Sequence, residues 1–165
     1  MPDAVTIAML VNSNNPTAAQ AIKAMQEAAL IHRQKLVVET AGTEGELETA
    51  FAGIAQQHVA AVVLDADPFF TTRRDQLAAL AARYAIPVVY PQRAFVLSGG
   101  LISYGGDLRI GYRDAGRYIG RILKGAKPAD LPVQQATKVD WSSTSKLRRR
   151  SVSPSPCRCL AAPTS

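Results

Sequence analysis

The chain has 165 residues, 47% of them apolar and 19% charged, enough for one domain with a real core. Its net charge of +6 is uneven: residues 1–137 hold 13 Lys/Arg against 12 Asp/Glu, while residues 138–165 hold 6 against 1. No apolar run approaches the ~20 residues of a bilayer span, and the one basic cluster, Lys146 with Arg148-Arg149-Arg150, lacks aromatic interleaving, so it reads as a solvated end rather than a nucleic-acid interface.

From the start, Met1-Pro2-Asp3-Ala4-Val5 has no basic segment leading into an apolar core, so the chain as written carries no export signal and stays cytoplasmic. Val5–Val11 reads as a buried strand ending in the turn-forming run Asn12-Ser13-Asn14-Asn15-Pro16. A helix follows from about Thr17, with Ile22, Met25, Ala29 and His32 on one face. Leu36–Thr40 is a second strand, and Thr43 with Glu46 fits a capping box before a helix that buries Leu47, Phe51 and Ile54. Val59–Leu64 is the third strand, an unbroken apolar run suited to a sheet covered on both faces. It stops at Asp65-Ala66-Asp67-Pro68, where proline ends regular structure. A helix capped by Thr72-x-x-Asp75 then buries Leu77, Leu80, Ala81 and Tyr84. Ile86–Tyr90 is a fourth strand, Gly99-Gly100 a break, and Leu101–Tyr104 a short fifth strand. Asp107 caps a longer helix running to about Lys124, with Leu108, Tyr112, Ala115, Ile119 and Ile122 as its apolar stripe. Arg109, Arg113, Arg117 and Arg121 recur every fourth residue along its flank, a solvated face interrupted by Asp114. An extended segment, Val133-Gln134-Gln135, follows. From residue 138 the Ser-, Arg- and Pro-rich composition predicts a disordered tail. Cys157 and Cys159, one residue apart within it, suit neither a relaxed disulfide nor a zinc site.

Strands alternating with helices predict right-handed βαβ units and a doubly wound parallel α/β sheet. Parallel strands deliver their following loops to one edge, where ligands bind in such sheets. The candidate ligand-binding residues are therefore Asn12, Asn14, Asn15, Asp67, Phe69, Tyr90, Arg93 and Tyr104. Amides and a carboxylate would fix polar groups there, and aromatic rings would wall an apolar part. Asp65 and Asp67 equally suit loop and helix capping. No cofactor, metal or catalytic residue is assigned: the sequence has no G-x-G-x-x-G, P-loop lysine or Gly-x-Ser-x-Gly pattern.

Four stretches, in order, resemble the ABC-transporter substrate-binding proteins related to the tryptophan-binding TrpX group. They are Val11–Pro16, Asp65–Phe70, Gly99–Gly105 and Ile122–Val133, and the likeness spans roughly residues 4 to 138. It implies one lobe of a two-lobed periplasmic-binding-protein fold of type I, a small amino-acid-like or organic solute, an ABC permease partner, a periplasmic location and no catalysis. It also implies a division into a ligand-binding lobe (4–106), a crossover helix and extended segment (107–137) and an aberrant tail (138–165). Against the family pattern, a signal peptide and first lobe are missing, Ser13 replaces a proline, Ala94 replaces a glutamate, and the sequence after Lys138 departs. The expectation is a fragment, mostly the second lobe, with a tail from a reading-frame change. The stripe of helix 108–123 would then face a missing partner and invite adventitious dimerisation. Two competing readings are the effector domain of a regulator, which needs a helix-turn-helix segment not found here, and a truncated product without function.

Overall fold

The computed structural model describes residues 5–132 and 139–144. The chain alternates through β1 (Thr6–Val11), α1 (Ala18–Ile31), β2 (Lys35–Thr40), α2 (Glu44–Gln56) and β3 (Ala61–Leu64). It continues with α3 (Pro68–Thr72), α4 (Arg74–Arg83), β4 (Val88–Tyr90), α5 (Arg93–Leu97), β5 (Ile102–Gly106), α6 (Leu108–Leu123), a 3-10 turn (Pro128–Asp130) and β6 (Val139–Ser143). The six strands form one sheet in the order β2-β1-β3-β4-β5-β6. The first five are parallel and β6 runs antiparallel to β5. The doubly wound order reverses between β1 and β3, the switch point at which such sheets open a crevice.

Two apolar clusters hold the layers together. On one face Leu47, Phe51 and Ile54 of α2, Phe70 of α3, Leu77 and Leu80 of α4 and Phe95 of α5 pack on Ala8, Leu10, Val62, Leu64, Val88 and Tyr90. On the other, Ala18, Ile22 and Met25 of α1 pack on Met9, Val11, Leu36 and Val38. Alternate strand residues feed the two clusters, which is why the strands read as unbroken apolar runs. Each fully buried Leu, Ile or Phe contributes roughly 1.5–3 kcal/mol. Helices α1, α2 and α4 each end in a left-handed residue, Arg33, His58 and Ala85, with no glycine there to relieve the backbone.

The structure differs from the sequence reading at five local points. Pro68 opens a short helix instead of ending structure, because proline lacks only an N–H that the first helical turn leaves unpaired. The cap of the following helix is not Thr72: α3 runs straight into α4 and Arg73 stands at the junction without a side-chain cap. The Thr43 hydroxyl does not cap α2, but Glu46 still reaches back, its Oε2 accepting the Gly42 N–H at 2.8 Å. Residues 93–97 form α5, too short to show a period in sequence. Where the sequence predicts a disordered tail from 138, Val139–Ser143 forms edge strand β6. The Val133-Gln134-Gln135 segment and both cysteines lie outside the described residues.

Candidate functional site

At the switch point the loop after β1 and the loop after β3 are tied together by one carboxylate. Asp67 is 6% exposed. Its Oδ1 accepts the Asn12 Nδ2 at 3.1 Å and the Phe69 N–H at 2.7 Å, and its Oδ2 accepts the Asn15 Nδ2 at 2.7 Å. The Phe69 bond caps α3. Asn12 Oδ1 in turn accepts the Asn14 N–H at 3.0 Å, and Asn15 Oδ1 accepts the Thr17 N–H at 2.9 Å. Both readings of Asp67, cap and mouth residue, meet in this one group. Its carboxylate is already well supplied with donors, so its direct effect is to fix the asparagines. Asn14 turns outward, its Nδ2 donating to the Gly42 carbonyl at 3.2 Å. The Phe69 ring is half-buried beneath the Arg73 guanidinium, 4.2 Å from the ring centroid, a cation–π contact.

Two strand steps along the same edge, roughly 10 Å away at about 4.8 Å per strand, the loops after β4 and β5 frame a cavity of about 400 Å³. Gln92, Arg93, Gly105, Asp107, Arg109 and Asp140 contribute to its wall. Asp107 caps α6 through the Arg109 N–H at 3.0 Å and also holds the Arg109 guanidinium at 3.0 and 2.9 Å. Those bonds, then the charges of Asp107 and Asp140, raise the Arg109 pKa above its ordinary value. Arg93 is exposed and has no ion-pair partner among the described residues. Gly105 is required at this wall: a Cβ there would lie 1.9 Å from the Pro91 carbonyl oxygen. A second recess, of about 470 Å³, lies at the opposite end of the strands and is walled mainly by apolar residues such as Ala82, Ile86 and Leu101.

Of the eight sequence-predicted site residues, the structure brings Asn12, Asn15, Asp67 and Phe69 together and places Arg93 in the neighbouring cavity. Of the other three, Tyr90 and Tyr104 need correction. Asn14 bonds toward the loop after β2. Tyr90 is 1% exposed and stacks on Phe95 at 4.9 Å in the core, so it cannot wall the mouth. Burial without a hydrogen-bond partner pushes its hydroxyl pKa up. Tyr104 is 63% exposed, but on the sheet face, paired across strands with Trp141. Sequence reasoning gathers the loops holding Gln92 and Asp107 at this edge without naming those two as site residues, and it misses Arg109 and Asp140. For the first three, the strand-end rule applied to β4 and β5 was signal enough, and for Asp140 only the short alternation Val139-Asp140-Trp141 pointed to a strand.

Among the described residues no three His, Cys, Asp or Glu side chains are grouped to hold a metal ion, and no helix is long and apolar enough to cross a membrane.

The sequence pattern of a family described as ABC transporter substrate binding protein matches residues 1–143. No curated protein matches the sequence. Among solved structures, a conserved domain protein from Vibrio cholerae is 24% identical with a TM-score of 0.75, over 88% of this chain and 49% of its own. A protein from Streptococcus pneumoniae, solved as an ABC domain in complex with L-Trp, is 21% identical with a TM-score of 0.76, over 90% of this chain and 51% of its own. A substrate-binding protein with adhesive properties from Clostridium difficile, in a ligand-free open form, is 21% identical with a TM-score of 0.66, over 90% and 50%. At these identities the likeness is one of fold. The chain spans about half the length of the structures it matches.

Proposed function

The chain belongs to the ABC transporter substrate-binding protein family, and from that premise we propose that it is the solute-binding component of an ABC importer, working outside the cytoplasmic membrane with a permease. The observation that supports this most is the cavity beyond the C-terminal ends of β4 and β5, continuous in edge with the tied asparagines of β1 and β3. Its chemistry favours a small organic solute that carries an anionic group. Arg93, with no ion-pair partner among the described residues, offers a fork of donors to a carboxylate, while Asp140 offers an acceptor to an amine or hydroxyl on the other wall, which Asp107 and Arg109 stiffen by their mutual bonds. Asn12 and Asn15 supply amides at the far side, and Phe69 an apolar surface. Binding then needs no bond-making step; the site orients and desolvates its ligand.

A mouth open on one side covers only part of a ligand. Two-lobed binders gain affinity by closing and excluding water, so this chain alone binds weakly. Calorimetric titration with a panel of amino acids and short organic acids tests the reading. The expected result is weak binding of a carboxylate-bearing solute that Arg93→Ala abolishes. Tight binding by the isolated chain, or binding indifferent to Arg93, would contradict it.

A further inference from the structure

Of the eleven large apolar side chains left exposed among the described residues, seven lie on two features of the fold, helix α6 and the β5–β6 strand pair. Tyr112, Ile119, Ile122 and Leu123 are on α6, at 41–83% exposure; Tyr104, Val139 and Trp141 are on β5 and β6, at 49–67%. Concentration on two features is what marks a patch, since scattered exposed residues carry no meaning.

The register shows where the sheet patch lies. Tyr104 pairs with Trp141 and Gly106 with Val139, so these side chains share a face with Ile102. Ile102 aligns with Val89, Val89 with Val63 and Val63 with Met9. Met9 belongs to the face that α1 covers. The α1 layer therefore protects the β2–β1 side of that face and ends before β5 and β6. The opposite face is layered by α2, α4 and α5. A sheet face of this composition calls for a helix layer across its whole width.

The unpartnered helix is α6. At 100° per residue Tyr112, Ala115, Ile119, Ile122 and Leu123 fall on one arc, Arg113, Arg117 and Arg121 on the far side, and Arg109 at the rim of the stripe. None of its described residues is buried. Sixteen residues make a marginal helix in water unless an apolar partner covers the stripe.

We propose that the stripe of α6 docks on the exposed β5–β6 face of a second copy of this chain, reciprocally, in a two-fold symmetric dimer. Each copy carries both a stripe and a face, and both stay exposed within one copy. Arg113, Arg117 and Arg121 lie on the far side, so docking buries none of them, and Arg109 at the rim keeps its pairing with Asp107. The seven side chains offer roughly 100 Å² each, about 700 Å² per copy and about 1,400 Å² for the pair, inside the ~1,200–2,000 Å² of stable interfaces. The inference rests on the fold and is independent of which solute binds.

Light scattering on the full 165-residue chain, with Cys157 and Cys159 replaced by serine, is the first measurement. A mass of twice 17.6 kDa is expected. Ile119→Asp and Trp141→Ser, both at exposed positions, each weaken the dimer by about tenfold or more with unchanged far-ultraviolet circular dichroism. Arg113→Ser on the far arc leaves it intact. Mixing an Ile119→Cys chain with a Trp141→Cys chain then yields a disulfide between unlike copies. A monomeric mass overturns the proposal, as does crosslinking of Ile119→Cys to itself in preference to Trp141→Cys. So does a monomer that floats with phosphatidylglycerol vesicles through α6, which would make an anionic lipid surface the occupant.

Discussion

The centre of this sheet and its β5–β6 side make an instructive contrast. Around β1, β3 and β4, apolar residues go inward on both faces and polar tips gather at one end, locked by Asp67. Around β5, β6 and α6, comparable side chains form equally regular elements, yet Tyr104, Trp141, Ile119 and Leu123 stay exposed. The difference is one of partners. Sequence pattern suffices to form an element; only a facing layer turns its apolar stripe into stability. The first region should therefore govern whether the chain folds, and the second what it touches.

The largest expected effect comes from the core of the first region. Phe51→Ala removes a fully buried ring and should cost about 3–5 kcal/mol in urea unfolding. The equivalent truncation on α6, Ile119→Ala, should leave monomer stability within about 0.5 kcal/mol. Equal losses would erase the contrast. Next, Asp67→Ala uncaps α3 and leaves the Asn12 and Asn15 amides without their acceptor. A loss of about 2–4 kcal/mol is expected, with Asp67→Asn intermediate because one amide would meet another donor. Gly105→Ala should cost about 1–3 kcal/mol and distort the cavity wall by pushing against the Pro91 carbonyl; amide shifts at Gln92 and Arg93 would report it.

The smallest effect is pH-dependent. The Gly42 N–H, aided by Thr43, holds the Glu46 carboxyl below its ordinary value of 4.5. A carboxyl lowered in the folded state contributes stability above its unfolded pKa, and that contribution fades as pH falls through the lowered value. Glu46→Gln should thus slightly lower stability at neutral pH and flatten the acid limb, the two proteins converging as pH falls through the lowered value.

Much of the first region was legible in the residues themselves. Val5–Val11 and Val59–Leu64 are long apolar runs with no other good home, and the strand-end rule then brought Asn12, Asn15 and Asp67 to one mouth. That rule gives an address along the strand but not a face. Tyr90 shares the parity of Val88 and so points into the core; Tyr104 has the opposite parity to buried Ser103 and so points out. Parity, applied to these strands, would have removed both from the site. Strand β6 was harder to see, because its pairing with β5 is long-range and its alternation dissolves into serines after Trp141.

The central claim is that the parallel strand tips form the receiving mouth. Amide chemical-shift mapping during titration with a carboxylate-bearing solute found by calorimetry tests it most directly. Perturbations should concentrate at Asn12, Asn15, Phe69, Arg93 and Gly105. Shifts gathered instead around Ala82, Ile86 and Leu101, at the other end of the strands, would contradict the account.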